Sequence, residues 1–200
     1  MKSLTIHLIR HGATAANQAG QYVGITDLPL TLESADQLEK LQQNDIYPEV
    51  QQVYAGPLKR CGQTAILIYP GQDMIPVPNL TEYNFGDFEG KTGNEHDADE
   101  NYKAWIGGKL EAPPNGETTK DFTVRICLGF RQVVEDMLSH NITEAAIITH
   151  GGVIMSLLDA CGLPRRQKFQ WMCDCGRGFT VKVTPSLFHS NGVVEVIDVV

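Results

Sequence analysis

Thr5-Ile6-His7-Leu8-Ile9-Arg10-His11-Gly12 opens the chain with a short apolar run that stops at an Arg-His-Gly tripeptide. A second run, Ala145-Ala146-Ile147-Ile148-Thr149, stops the same way at His150-Gly151-Gly152. Both runs are rich in β-branched residues and bounded by polar residues or glycine, the pattern of buried strands in a parallel sheet. In open α/β sheets, ligands bind at the carboxyl ends of the strands, and glycine there lets the backbone come close to them. Two histidines delivered to strand ends in this way point to one shared site. The segment Val153–Cys161 has helical apolar spacing, which places Gly151 and Gly152 at a helix N-terminus whose free N–H groups favour an anion. Arg10 adds a fixed charge and a planar donor fork suited to phosphate. An arginine, two histidines and helix-end amides describe a phosphoryl site.

The remaining sequence frames that site. With 200 residues, 42% apolar, the chain is long enough for one substantial α/β core, residues 1–200 reading as a single domain. Sixteen basic residues against 24 acidic ones give a net charge of −8, which argues against nucleic acid or an anionic membrane as partner. An anionic substrate must therefore be drawn by a local basic pocket. Met1-Lys2-Ser3-Leu4 carries no signal-peptide apolar region, and no run of about 18 apolar residues exists for a membrane span. Five scattered cysteines fit reduced thiols, and together these features place the chain in the cytosol. Cys173-Asp174-Cys175 lacks a matching second pair, so no metal site is expected there.

Strand and helix signals alternate, as in βαβ units. Thr31 is placed to cap a helix with Leu32, Ala35, Leu38 and Leu41 on one face. Gln51–Ala55 reads as a strand, Leu58–Tyr69 as a helix, and Ile75–Leu80 as an edge segment, since its prolines exclude a central strand. The stretch 91–117 reads as an excursion over the site, acidic and partly helical between Gly93 and Gly108. Thr118 and Asp121 have the spacing of a capping box opening a long helix with Phe122, Ile126, Phe130, Val133 and Met137 inward. Phe179–Val183 and Val193–Val200 read as two more strands, joined around Asn191-Gly192. Trp171–Gly178 reads as a turn before Phe179, the alternative being a pocket mouth with Arg177 as a substrate contact.

Two further clusters could carry chemistry. Gly56-Pro57-Leu58-Lys59-Arg60 follows a predicted strand and puts Arg60 in the first turn of a helix, able to aim back over the sheet edge. Leu80–Gly90 offers Glu82 among aromatics that could desolvate it and raise its pKa toward general-acid duty. Glu89 and Asp87 lie close enough in sequence to compete for that role. His7 alternates with apolar neighbours as a packing histidine does, and His96, His140 and His189 have no context that argues chemistry.

Taken in order, these pieces resemble the histidine phosphatase superfamily, the phosphoglycerate mutase-like fold. Leu8–Asn17 is similar to its opening L-x-R-H-G-x-T-x-x-N, and Pro57–Ala65 to its P-L-x-R-A-x-Q-T-A. Leu80–Gly90, Gly116-Glu117-Thr118 and Thr149–Gly152 resemble its L-x-E-x-x-F-G-x-x-E-G, G-E-S and T-H-G-G. Gly56 stands where many members have serine and Cys61 where many have alanine, neither being among the named catalytic groups.

The resemblance implies a three-layer α/β/α sandwich with a mostly parallel sheet. It implies His11 as the nucleophile that becomes a phosphohistidine, and Arg10, Arg60 and His150 as holders of the phosphoryl oxygens. Asn17 and the Gly151 amide would add donors. Glu82 would protonate the leaving oxygen and then take a proton from the hydrolytic water. No metal or other cofactor is implied, because arginines and imidazoles supply the positive charge. Mutases of the family carry a longer, arginine-rich insertion after the glutamate motif; here Thr92–Asn115 is short and acidic, which favours hydrolysis of a small phosphorylated metabolite. The chain most resembles the α-ribazole phosphatases and broad-specificity phosphatases of the family, with α-ribazole 5′-phosphate one candidate substrate. Phosphoglycerate mutase-type transfer and a non-catalytic phospho-ligand-binding role are the alternatives. The partner expected is a small phosphorylated metabolite, with the chain itself a monomer or a homodimer.

Overall fold

The computed structural model describes residues 2–200. Among them, seven strands form one sheet in the order β3-β2-β4-β1-β6-β7-β5. The strands are β1 Leu4–Arg10, β2 Gln52–Ala55, β3 Met74–Pro76, β4 Glu144–Thr149, β5 Gly162–Leu163, β6 Gly178–Val183 and β7 Val194–Val199. The β1–β4, β2–β4, β2–β3 and β5–β7 pairs are parallel, whereas β6 runs antiparallel to both β1 and β7. The helices are α1 Ala15–Gln18, α2 Leu32–Gln43, α3 Lys59–Ile68, α4 Glu100–Ile106, α5 Thr119–Ser139, α6 Gly151–Cys161 and α7 Pro185–Asn191. None is long and apolar enough to cross a membrane.

The period-two alternation of side chains along the strands sorts the core into two layers. Leu4, Ile6, Leu8, Tyr54, Ala145 and Ile147 pack against α5 and α6, through Phe122, Ile126, Phe130, Val133, Ile154 and Leu157. Ile9, Val53, Ala55, Ala146 and Ile148 face the other way, onto Leu38 of α2 and Cys61, Ala65 and Ile68 of α3. The result is the expected α/β/α sandwich. His7 is buried in the sheet as a packing residue, its ring nitrogens 2.9 Å from Thr180 Oγ1 and 3.2 Å from Glu144 Oε1.

Four sequence expectations need correction. Leu32 is 87% exposed, because at the first position of α2 it lies off the face that carries Ser34 and Leu38 inward. The two C-terminal strands are not joined by a turn. Pro185 opens α7 between them and Gly192, at φ +66°, closes it, the usual proline-start and glycine-stop chemistry on a helix too short to display its period. The Thr118 cap is one-sided: its hydroxyl accepts from the Asp121 amide, while the Asp121 carboxylate takes that hydroxyl rather than the Thr118 N–H. Finally, Trp171–Gly178 is more than a turn, as the site shows.

Strand β1 is followed on one face by α2 and its neighbour β4 on the opposite face by α6. Chains leaving adjacent parallel strands toward opposite faces open a crevice at the carboxyl edge. Arg10 pairs with Thr149 in register, and the His11 amide donates to the Thr149 carbonyl at 2.9 Å. His11 and His150 therefore emerge side by side into that crevice.

Candidate active site

His11 and His150 are buried with ring centroids 5.0 Å apart, edge to face. His11 Nδ1 lies 2.6 Å from the Gly12 carbonyl, which can only accept, so Nδ1 carries the proton and Nε2 keeps its lone pair. Burial, reinforced by the Arg60 charge, lowers the His11 pKa to about 3. Burial, then His11 and Arg60, also hold His150 well below the ordinary histidine value. Both imidazoles are thus neutral across the physiological range.

Arg60 is fully buried beneath them, brought there by the first turn of α3. Its Nε–H is shared between His11 Nε2 at 3.2 Å and His150 Nδ1 at 3.3 Å. Its Nη1 and Nη2 donate to the carbonyls of Thr26 and Gly24. The loop supplying those carbonyls passes so close to Tyr83 that a Cβ on Gly24 would lie 1.8 Å from the Tyr83 carbonyl oxygen, which explains glycine there. Cys61 sits against His150 with its sulfur 3.5 Å from Nε2, and burial pushes its thiol up to about 12, so it is an uncharged packing group.

Arg10 lines the crevice from the other side. Its Nη1 donates to the Cys173 carbonyl, its backbone amide to the Arg177 carbonyl, and its own carbonyl accepts from Gly176. The 172–178 segment therefore wraps Arg10, with Met172 and Cys173 on the cavity wall rather than Arg177. Arg10 Nε is buried without a partner, a free donor. Asn17 commits its Oδ1 to the amide and hydroxyl of Thr14, which leaves its NH₂ group for the cavity it lines. Gly151 opens α6, so its amide has no acceptor within the helix.

Glu82 is the buried carboxylate of the group. Its Oε1 accepts from the Tyr83 amide and its Oε2 from the Gly152 amide, each at 2.8 Å. A Cβ on Gly152 would stand 2.3 Å from Oε1, so only glycine admits the carboxylate to this helix end. Burial raises the Glu82 pKa despite those two amides. Glu89, by contrast, is turned away to the amides of Ile25 and Thr26. Asp87 binds the Asn115 side chain.

All seven residues singled out from sequence border or underlie one cavity of about 540 Å³. Its outer wall is largely aromatic and apolar: Tyr83 and Phe85 are the aromatics expected beside Glu82, whereas Tyr22, Trp105, Met155, Phe169 and Met172 were not assigned to it from sequence. Trp105 comes from α4, within the 91–117 excursion, which is pinned to Tyr22 by a 2.8 Å contact between the Tyr22 and Tyr102 hydroxyls. His96 is buried in the same excursion, stacked on Tyr102. No group of three or more His, Cys, Asp or Glu side chains among the described residues is arranged to hold a metal ion.

Residues 6–185 match the model of the histidine phosphatase superfamily, branch 1. The chain is 32% identical over 160 residues to the adenosylcobalamin/α-ribazole phosphatase of Salmonella typhimurium, covering 78% of each. In three dimensions it is similar to the α-ribazole phosphatase of Shigella flexneri, with a TM-score of 0.76, 25% identity and 98% and 95% of the two chains covered. It is also similar to a phosphoglycerate mutase of Thermus thermophilus, with a TM-score of 0.68, 30% identity and 91% and 94% covered.

Proposed function

The chain belongs to the histidine phosphatase superfamily and is a phosphatase, and from that premise we propose that it hydrolyses a phosphomonoester of a small organic alcohol through a phosphohistidine on His11, without a metal ion. His11 Nε2 attacks phosphorus while the Gly12 carbonyl fixes the opposite nitrogen. Arg10 Nε, the Arg60 Nε–H now bridging the histidines, His150, the Asn17 amide and the Gly151 N–H receive the phosphoryl oxygens. Glu82, kept protonated above the usual carboxylate range, gives its proton to the leaving oxygen. It then recovers one from the water that cleaves the phosphohistidine.

The observation that carries this reading is the single buried guanidinium shared by two neutral imidazoles at neighbouring strand ends. It leaves a nucleophilic nitrogen next to fixed positive charge, which is what transfer of a dianionic group requires.

Hydrolysis is favoured over mutase transfer by the wall. Beyond Arg10 the cavity lining offers Lys168 alone as a further lysine or arginine, and the excursion contributes Trp105 where a second acidic group would need an arginine. An aromatic, apolar wall suits an alcohol with a flat apolar part. α-Ribazole 5′-phosphate, the substrate class named for the relatives, is therefore the first to try. Phosphate release from an aryl phosphate in excess EDTA tests the core of the proposal: the wild type is expected to retain its activity and His11→Ala to lose it. Activity abolished by EDTA, or retained by His11→Ala, would remove the mechanism.

A further inference from the structure

The Gly116-Glu117-Thr118 motif takes no part in the chemistry above, yet its glutamate is one of the most heavily bonded side chains in the molecule. Glu117 Oε1 accepts from the Asn84 amide at 2.8 Å and from Arg125 Nη2 at 2.6 Å, and Oε2 accepts from Arg125 Nε at 3.0 Å. Its backbone is engaged as well, the amide donating to the Asn84 carbonyl and the carbonyl accepting from the Tyr83 hydroxyl. Arg125, on the second turn of α5, completes the cluster. Its Nη1 donates to the carbonyls of Asn79 at 3.0 Å and Thr81 at 2.7 Å, and its Nη2 to the carbonyl of Glu82 at 2.9 Å.

A guanidinium has five N–H donors, and here each has its acceptor: one at Nε, two at Nη1 and two at Nη2. Three are backbone carbonyls of the loop that carries Glu82. Three carbonyls converging on one planar cation fix the peptide planes on either side of Glu82, and with them the direction in which its side chain leaves the backbone. On the far side of that loop the carboxylate meets the Tyr83 and Gly152 amides. The acid is thus held from two sides, by a cation behind its backbone and by amides at its tip.

We propose that Arg125, oriented by Glu117, is the positioning residue for the Glu82 proton donor; it touches no reacting atom and acts by holding the Asn79–Glu82 backbone. The inference rests on Glu82 being the general acid. It also predicts that lysine cannot replace Arg125, since an ammonium keeps the charge but offers three donors for five acceptors.

The leaving group separates positioning of an acid from mere support of the fold. A dinitrophenyl phosphate expels a stable phenolate and needs no proton, whereas an alkyl phosphate expels an alkoxide that does. The quantity to compare is kcat/KM, which reports the steps through phosphorylation of His11. For Arg125→Lys, kcat/KM on the alkyl phosphate is expected to fall about 10- to 100-fold, part of what a general acid supplies, while the dinitrophenyl ester changes by less than about threefold. Glu82→Gln should show the same selectivity, more strongly. Equal losses on both esters, or no loss on either, beside a selective Glu82→Gln, would reduce Arg125 to a structural residue and overturn the proposal. An unselective Glu82→Gln would overturn the assignment of the acid, and the positioning role with it. If Arg125→Lys does not fold, Glu117→Gln supplies the same comparison, because it retains volume and one acceptor but leaves Arg125 Nε without its oxygen.

Discussion

At the floor of the cavity His150 and Arg60 are fully buried and every polar atom of the Arg60 guanidinium is engaged; at its mouth Phe169 and Met172 are 74% and 61% exposed. The floor is built from strand ends and helix starts, elements fixed by the sheet. The exposed part of the wall, Phe169 and Met172, comes from the segment after β5, and Trp105 from the 91–117 excursion, which touches Tyr22 through the hydroxyl pair of Tyr22 and Tyr102. On the proposed mechanism, the contrast separates what performs phosphoryl transfer from what selects the alcohol, so that one can change while the other stays.

The strongest way to break that division is to attack the floor. Arg60→Met leaves the carbonyls of Gly24 and Thr26 and both histidines without their donor. A loss of kcat of about 10²–10³-fold is expected, with a lower melting temperature, since each buried acceptor left unpaired costs about 1–3 kcal/mol. A variant with normal kcat would mean that the floor is not where charge is stabilised. Gly152→Ala is milder: it should strengthen α6 by local propensity while pushing Glu82 aside. A fall of about 10- to 100-fold on alkyl phosphates with an undiminished melting temperature would sharpen the comparison.

Acidity gives a third probe. His11 stays neutral down to about pH 3, so activity should persist into acid. Glu82 must be protonated for the first step, and its pKa is raised, so kcat/KM should fall as pH climbs through that raised value rather than through the ordinary carboxylate range. Glu82→Gln should abolish that falling limb and leave the ionisation of the substrate, which both enzymes share. An unchanged profile would place the proton donor elsewhere. The smallest effect belongs to the wall: Phe169→Ala should raise KM for α-ribazole 5′-phosphate about 3- to 10-fold, the worth of one aromatic contact of about 0.5–1.5 kcal/mol. It should leave kcat and stability nearly untouched, and a large drop in kcat would show that wall and floor are coupled.

The same division governs what could be read from the residues in advance. Strands ending in His-Gly declare themselves, because β-branched runs, glycine and histidine at a sheet edge are local signals. The outer part of the wall has no local signal. Trp105, Phe169 and Met172 come from segments remote from the motifs, and an exposed aromatic on a short helix looks the same in sequence whether it lines a cavity or faces solvent. Arg125 fell between these cases. It sits beside Phe122 and Ile126 on α5, where an arginine with its ring contact to Phe122 could have been marked as inward-facing, but its partners are carbonyls and carry no sequence signature.

The pairing of β1 with β4 has a consequence for how the protein comes to hold its ligand at all. His11 and His150 are far apart in the sequence, and they reach the same level only through the register that sets Arg10 beside Thr149. Closing so long a loop is slow and entropically costly, and the intervening helices must dock before it is stable. On the proposed reading, a chain in which β1 and β4 have not paired therefore has no assembled phosphate site. Inorganic phosphate, binding the native state alone, should accordingly act as a folding ligand that raises the melting temperature with its concentration, and a fragment ending before Glu144 should be indifferent to it.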